Sequence, residues 1–353
     1  MPSADTIRIG KEQLTAFVAD LFTAAGVPSS LAKQWAIPLT WAEARGIESH
    51  GVLRVGQYLG MLERNEINRN PDIHIARRAG ATALLEADLA PGPVAMSIAM
   101  REAIDLAATH QVGWCVARNV AHAGALGYVA LQAVTAPRAA IVMGASSPLM
   151  AYHGARVSSL GTNPIAIAFP TRSGPPFLLD MSTSTAARGR IMKAAVLGEK
   201  IPTGWGIDAD GRDTTDPASV ATLLPLAGAK GSGLSFMLEC LASLTAGNPI
   251  LAPLLGNPQL AAGARQNGVA LVVDLAAFGD AAAMLDEADE LRRAIAALPR
   301  AEGVERLYLP GEIEDERMRQ RERDGIPLAA ITVEQLSNIA TSLGVASPFE
   351  ETR

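Results

Sequence analysis

The chain predicts an α/β protein. Between residues 76 and 315, short apolar runs of strand length alternate with stretches of helical periodicity. At both ends only the helical period remains. No GxGxxG loop follows any strand-like run, so the ordinary dinucleotide-binding turn is missing. The helical ends are expected to pack together as one discontinuous domain, residues 1–75 plus 316–353, beside an α/β domain of residues 76–315.

Each element has its own warrant. Leu14, Phe17, Val18, Leu21 and Phe22 recur at helical spacing, and Gly26 fits a stop. Pro28-Ser29-Ser30 opens a second helix through Leu31, Trp35 and Trp41, in which Pro38 should place a kink. Val55, Tyr58, Leu59 and Leu62 stand at i, i+3, i+4 and i+7 in a third, over 52–62. The apolar runs 112–117, 139–144, 164–170, 177–181, 269–275 and 304–310 read as strands, several buried on both faces. Segments 95–109, 124–136, 233–246 and 281–297 read as helices. Helix returns in the tail, as a charged run over 312–324 and an apolar stripe over 332–343 with Thr332 and Glu334 at its cap.

Composition narrows the function. Of 353 residues 49% are hydrophobic and 19% charged, which excludes extensive disorder. Thirty basic against 36 acidic residues give a net charge of −6, and aromatics are 4%; neither suits a nucleic-acid partner. No apolar run reaches the ~18 residues of a membrane span, and residues 1–14 lack the pattern of a signal peptide. Cys115 and Cys240 lie in apolar segments and read as buried thiols of a reducing compartment, so a cytoplasmic location is expected. The five histidines are not spaced as metal ligands, and no metal is expected.

Four clusters could carry chemistry. In 45–58, Arg54 and Tyr58 share a helix face, with Ser49 and His50 at the helix start, where N–H groups and the dipole favour an anion. That arrangement suits a carboxylate, gripped by the Arg54 fork; a helix cap with a surface arginine is the plainer alternative. His122 lies in a loop of small residues after a strand, placed for proton exchange with a hydroxyl or keto oxygen, or as a structural histidine. Gly161-Thr162-Asn163-Pro164 and Asp180-Met181-Ser182-Thr183 offer groups for a ribose and a carboxamide, or simple turn chemistry. Gly228-Ala229-Lys230-Gly231-Ser232-Gly233 opens a helix and favours phosphate.

Seven segments in order resemble the malate/L-lactate dehydrogenase family of the second type. They are ARGIESHGVLRVGQY (44–58), HAGALGY (122–128), LGTNPIAIAFPT (160–171), LLDMSTSTAARGRI (178–191), IPTGWGIDADGRDTTDP (201–217), LLPLAGAKGSGL (223–234) and LYLPGE (307–312). HAGA and the following Ser146-Ser147-Pro148 look most like the ureidoglycolate dehydrogenase branch, although Ser147 stands where that branch has Asp. Segment 248–268 also departs from the usual family loop.

The resemblance implies a non-Rossmann, mixed-sheet NAD(P)-binding domain and a homodimer. The activity it implies is hydride transfer between nicotinamide, as NAD or NADP, and C2 of a small 2-hydroxy or 2-keto acid such as ureidoglycolate, malate or lactate. By motif matching, His122, His50 and Ser49 take the catalytic positions, and Arg54, Tyr58, Ser147 and Thr162 the substrate pocket. Ser146, Gly161, Asp180, Met181, Ser182, Lys230, Gly231, Gly311 and Glu312 fall on cofactor positions. Two other functions stay open: reduction of Δ1-piperideine- or Δ1-pyrroline-2-carboxylate, and nucleotide binding without catalysis.

Overall fold

The computed structural model describes residues 6–251 and 265–349; most of the divergent segment 248–268 lies outside them. A strand β1 (Thr6–Ile9) precedes helices α1 (Lys11–Ala24), α2 (Ser29–Ala44) and α3 (Val55–Glu63). The α/β part follows as β2 (His74–Ala79), β3 (Thr82–Glu86), α4 (Gly92–His110), β4 (Val112–Val120), α5 (Leu126–Ala130) and β5 (Arg138–Ala145). Next come β6 (Met150–Ala151), β7 (Ser158–Leu160), β8 (Ile165–Phe169), β9 (Phe177–Met181) and α6 (Arg188–Leu197). Then β10 (Gly206–Ile207), β11 (Thr222–Leu223), α7 (Ala229–Glu239), β12 (Gln266–Asp274) and α8 (Ala281–Ala296) complete this part. Helix α9 (Glu312–Asp324), strand β13 (Ile326–Ala329) and helix α10 (Ala330–Leu343) close the chain.

Seven strands form the main sheet in the order β2-β3-β4-β12-β5-β8-β9. Only β3 and β4 run parallel, joined by α4; every other neighbouring pair is antiparallel. This is the mixed, non-Rossmann sheet expected. A four-stranded sheet, β10-β11-β6-β7, stands apart from it. One core lies between α4, α5 and the main sheet, built from Leu85, Met96, Met100, Leu126 and Val142 among others. A second gathers Leu14, Phe22, Trp35, Tyr58 and Leu62 from the first helices with Ile326, Leu328, Leu336 and Phe349 from the end of the chain. Within it Trp35 stacks on Phe22 with ring centroids 4.0 Å apart, and the Tyr58 ring follows at 5.2 Å. β1 pairs antiparallel with β13, Thr6 opposite Ala329.

Several expectations shift. Segment 304–310 is not a strand: it is largely exposed, broken by Glu305 and Arg306, and its one link to the sheet edge is Leu178 N–H donating to the Pro310 carbonyl. Only 126–130 of the segment 124–136 is helical, because Ala125 is still extended. Helix α7 starts four residues before the expected 233 and widens into a π turn over 240–244. Helix α2 runs through Pro38 without a break in its assignment, and α10 begins at Ala330 with no side-chain cap. Both cysteines are free. No helix among the described residues is long and apolar enough to cross a membrane.

Trp35 is fully buried at the centre of the helical core. Trp35→Ala should cost roughly 3–5 kcal/mol of stability, read by urea unfolding followed by circular dichroism; a loss below about 1 kcal/mol would show that the stack with Phe22 and Tyr58 is not what holds these helices.

Candidate active site

His122 sits just past the end of β4, in a loop that returns toward the start of α4. The two segments touch at Gly92: a Cβ there would fall 2.0 Å from the His122 carbonyl oxygen. Only glycine permits that approach, so the first residue of α4 fixes the height of the His122 backbone. Ala123 N–H donates to Gln266 Oε1 at 3.0 Å, which ties the loop to the start of β12.

The third helix, expected over 52–62 with Ser49 and His50 at its start, begins later, and residues 48–54 before it are not α-helical. They form two successive 3-10 turns, Glu48–His50 and Val52–Arg54, hinged at extended Gly51, and the α-helix begins only at Val55. The turns bend the chain back so that Arg54 Nε donates to the Ser49 carbonyl at 2.6 Å, while Nη1 donates to Gln57 Oε1. Both acceptors are neutral, so neither forms an ion pair with the guanidinium. Ser49 Oγ and His50 Nδ1 share a hydrogen bond of 3.0 Å. The His50 ring lies nearly parallel to the His122 ring, centroids 5.7 Å apart. Tyr58, buried against Trp35, has its hydroxyl 2.8 Å from His122 Nδ1. Thus Ser49, His50, Arg54, Tyr58 and His122 converge, but the Tyr58 hydroxyl is engaged by an imidazole rather than left open.

The electrostatics follow from depth and one cation. Burial, reinforced by Arg54, pushes His50 down to about 4. Burial also holds His122 well below the ordinary imidazole value, with His50 and Arg54 adding to the effect. Burial pushes the Tyr58 phenol up, so it stays protonated. Two neutral imidazoles therefore face each other beside a fixed positive charge.

A second group lines up through backbone hydrogen bonds. Ser146 N–H donates to Asn163 Oδ1 (3.0 Å), and the tight turn at Gly161 packs against Ser146. Thr183 N–H donates to the Thr162 carbonyl, Leu226 N–H to that of Thr183, and Gly231 N–H to that of Leu226. Ser146, Gly161, Thr162, Ser182 and Gly231 thereby form one continuous rim, with Ser147 half-buried beside Ser146 and exposed Lys230 in the first turn of α7. The Gly231 amide is spent on Leu226 and is not turned outward as a phosphate donor.

Asp180 and Met181 end β9. Asp180 Oδ2 accepts Gly127 N–H at 2.7 Å; the residue is ringed by protein yet open to solvent on one side, and burial against that hydrogen bond raises it to about 6. The Gly311 carbonyl accepts from Arg45, and both Glu312 carboxylate oxygens are taken, by Arg292 and by Leu309 N–H. Helix α6, invisible in the sequence pattern, joins the two groups: a Cβ on Gly189 would lie 3.1 Å from the Ser49 Cβ.

Comparison with known proteins places the chain in a family. The model of the malate/L-lactate dehydrogenase family matches residues 9–337. The chain belongs to that family. It is 35% identical to the L-sulfolactate dehydrogenase of Methanocaldococcus jannaschii over 93% of this chain and 95% of that one. It is 30% identical to a ureidoglycolate dehydrogenase (NAD(+)) of Escherichia coli O157:H7 over 98% of this chain and the whole of that one. The malate dehydrogenase structure from Pyrococcus horikoshii superimposes with a TM-score of 0.87 at 32% identity, covering 98% of each chain. The chain is accordingly an oxidoreductase, a dehydrogenase of the hydroxyacid type.

Three residues of this dehydrogenase site escaped the sequence reading. Gln57 stands one helical step, i+3, from Arg54, a signal that was available. Gly189 and Gln266 act through packing and a backbone amide, for which spacing carries no sign.

The depressed histidines make a stability prediction. Between pH 6.5 and about 4 the unfolded chain binds protons that folded His50 and His122 refuse. Their contribution is present above pH 6.5 and lost as pH falls toward 4. Unfolding free energy should decline over that window and His50→Phe should flatten the decline; an unchanged slope would mean the imidazoles are not held neutral.

Proposed function

We propose that this dehydrogenase transfers hydride between a nicotinamide cofactor, NAD or NADP, and C2 of a small 2-hydroxy or 2-keto acid. The reading is carried by one observation: a guanidinium with only neutral partners stands beside a solvent-reachable imidazole whose other nitrogen is held by Tyr58. The cradle fits a dinucleotide. Asp180 keeps one oxygen on Gly127 while solvent reaches the residue, a place for a hydroxyl or amide donor. The rim of Ser146, Gly161, Thr162, Met181, Ser182 and Gly231 would hold the rest, the phosphates falling to Lys230 because the Gly231 amide is already spent on Leu226. Gly311 and Glu312 would close that edge, Glu312 by bracing the loop.

A bound nicotinamide supplies the hydride chemistry. Arg54 grips the substrate carboxylate as a fork, with Ser49 and His50 donating to the carboxylate or C2 oxygen. Ser147 and Thr162 flank the substrate. In oxidation neutral His122 accepts the hydroxyl proton; in reduction the imidazolium returns it. Because Tyr58 can donate or accept, it complements either tautomer and keeps the ring aimed in both directions. Burial is the main cause of the depressed His122, and a carboxylate on Arg54 would remove only the smaller part that the guanidinium adds.

We further propose a cytoplasmic homodimer. We divide its subunit at residues 75 and 315, with 1–75 and 316–353 as one body.

The test is NAD(P)H oxidation with 2-keto acids and with cyclic imine carboxylates, using both reduced cofactors. Turnover on keto acids supports the proposal, turnover on imines alone would transfer it to C=N reduction, and cofactor binding without turnover would leave a nucleotide-binding protein. His122→Asn should lower kcat by ~10²–10⁴-fold with cofactor affinity unchanged. Arg54→Ala should chiefly raise KM; wild-type values on acids would remove it from the pocket.

A further inference from the structure

We infer that Glu43 is the positioning residue that holds the Ser49–Arg54 turn in register with His122, and that through it the helix α9 governs the grip on the substrate acid. The inference rests on the reading of Arg54 as the carboxylate ligand.

Glu43 lies near the end of α2, 4% exposed, and touches no reacting group. Its Oε2 accepts the Val52 N–H at 3.0 Å, the amide that opens the second 3-10 turn. The turn rests directly on the carboxyl: a Cβ on Gly51 would sit 2.0 Å from Oε2 and 3.3 Å from the Glu43 Cα. Gly51 is thus the one hinge residue between the segment carrying Ser49 and His50 and the segment carrying Arg54.

The other end of Glu43 is tied to the C-terminal part of the chain. Its carbonyl accepts from Arg321 Nη1 of α9, and Arg321 Nη2 stands 3.9 Å from Glu48 at the start of the turn. Two residues on, Arg45 reaches Gly311 and Asp315. Helix α9 therefore clamps the end of α2 and the start of the turn, all on the Ser49 side of the hinge.

A buried carboxyl with a single backbone donor is costly to retain where a glutamine would make the same hydrogen bond. What the acid adds is titration. Burial raises Glu43 to about 7, Glu48 adding to the rise and the Val52 amide and Arg321 opposing it. Above that pH the carboxylate makes a charge-assisted bond to Val52; below it the neutral acid makes a weaker one. His50 and His122 stay neutral across this range, and Asp180, at about 6, stands with the cofactor groups.

The experiment compares wild type, Glu43→Gln and Glu43→Ala from pH 6 to 8.5 at saturating cofactor. It reads KM and kcat for pyruvate and oxaloacetate, and hydrogen exchange of segment 47–54. In the wild type KM should rise severalfold as pH falls through about 7. In Glu43→Gln it should be flat and near the low-pH value. Glu43→Ala should raise KM at least tenfold, change kcat less, and speed exchange in 47–54. A wild-type pH slope in Glu43→Gln, or wild-type KM and exchange in a folded Glu43→Ala, would overturn the inference; if Glu43→Ala does not fold, the Gln profile decides alone. Arg54→Ala run alongside separates the two ideas: wild-type kinetics there would sink the carboxylate reading itself.

Discussion

The hydrogen bond between the Tyr58 hydroxyl and His122 Nδ1 is the contact on which the site depends. It links two cores that also share elements, Trp41 of α2 lying in the sheet core and Val94 of α4 in the helical one. The tyrosine ring belongs to the helical core through Trp35, while His122 hangs from a strand of the main sheet. Sixty-four residues separate them. A phenol buried this fully has no water to satisfy it, so its one partner is fixed by the cost of losing it. The aim of the imidazole is thereby set by the packing around Tyr58, while Gly92 and the Ala123–Gln266 hydrogen bond fix its backbone.

A second consequence concerns charge. Arg54 is a cation whose field reaches His50, Tyr58 and His122 together. Among the described residues its acceptors are the Ser49 carbonyl and the Gln57 amide, both neutral. The Arg54 charge, on a partly exposed side chain, sets the field in which the two imidazoles and the phenol sit. The proposed grip on an acid and the proposed proton exchange at His122 would both draw on that one field.

Much of this was readable beforehand, and the reasons for the gaps are physical. Helices α1, α2 and α4 bury strong apolar faces, so period and structure agree. The strands β4, β5 and β12 lie at the middle of the sheet and show as apolar runs. Edge strand β2, HIARRA, is almost entirely exposed and carries no such signal. Strands β6, β10 and β11 are two residues long, below what a period can reveal. Segment 304–310 misled because apolar content alone does not make a strand: it runs to the open edge at β9 but is largely exposed and broken by Glu305 and Arg306. In the site, the residues Ser49 to Tyr58 were legible because one segment holds them all. The aim of the Tyr58 hydroxyl was not, since a tyrosine in an apolar stripe reads the same whether its tip is idle or engaged. Glu43 was invisible for a related reason: a carboxylate on a helix looks solvated until the chain folds back over it.

The pairing of β1 with β13 has a further meaning for how the molecule comes into being. Partners more than 300 residues apart make the helical body a product of the whole chain, since Ile326, Leu328 and Leu336 complete the same core as Leu14 and Trp35. During synthesis the early helices leave the ribosome long before these late residues exist, and loop closure on that scale is slow. The sheet can assemble while they wait. The segment with Ser49 and Arg54 acquires its final brace last, so a nascent or truncated polypeptide carries the parts of an enzyme without being one.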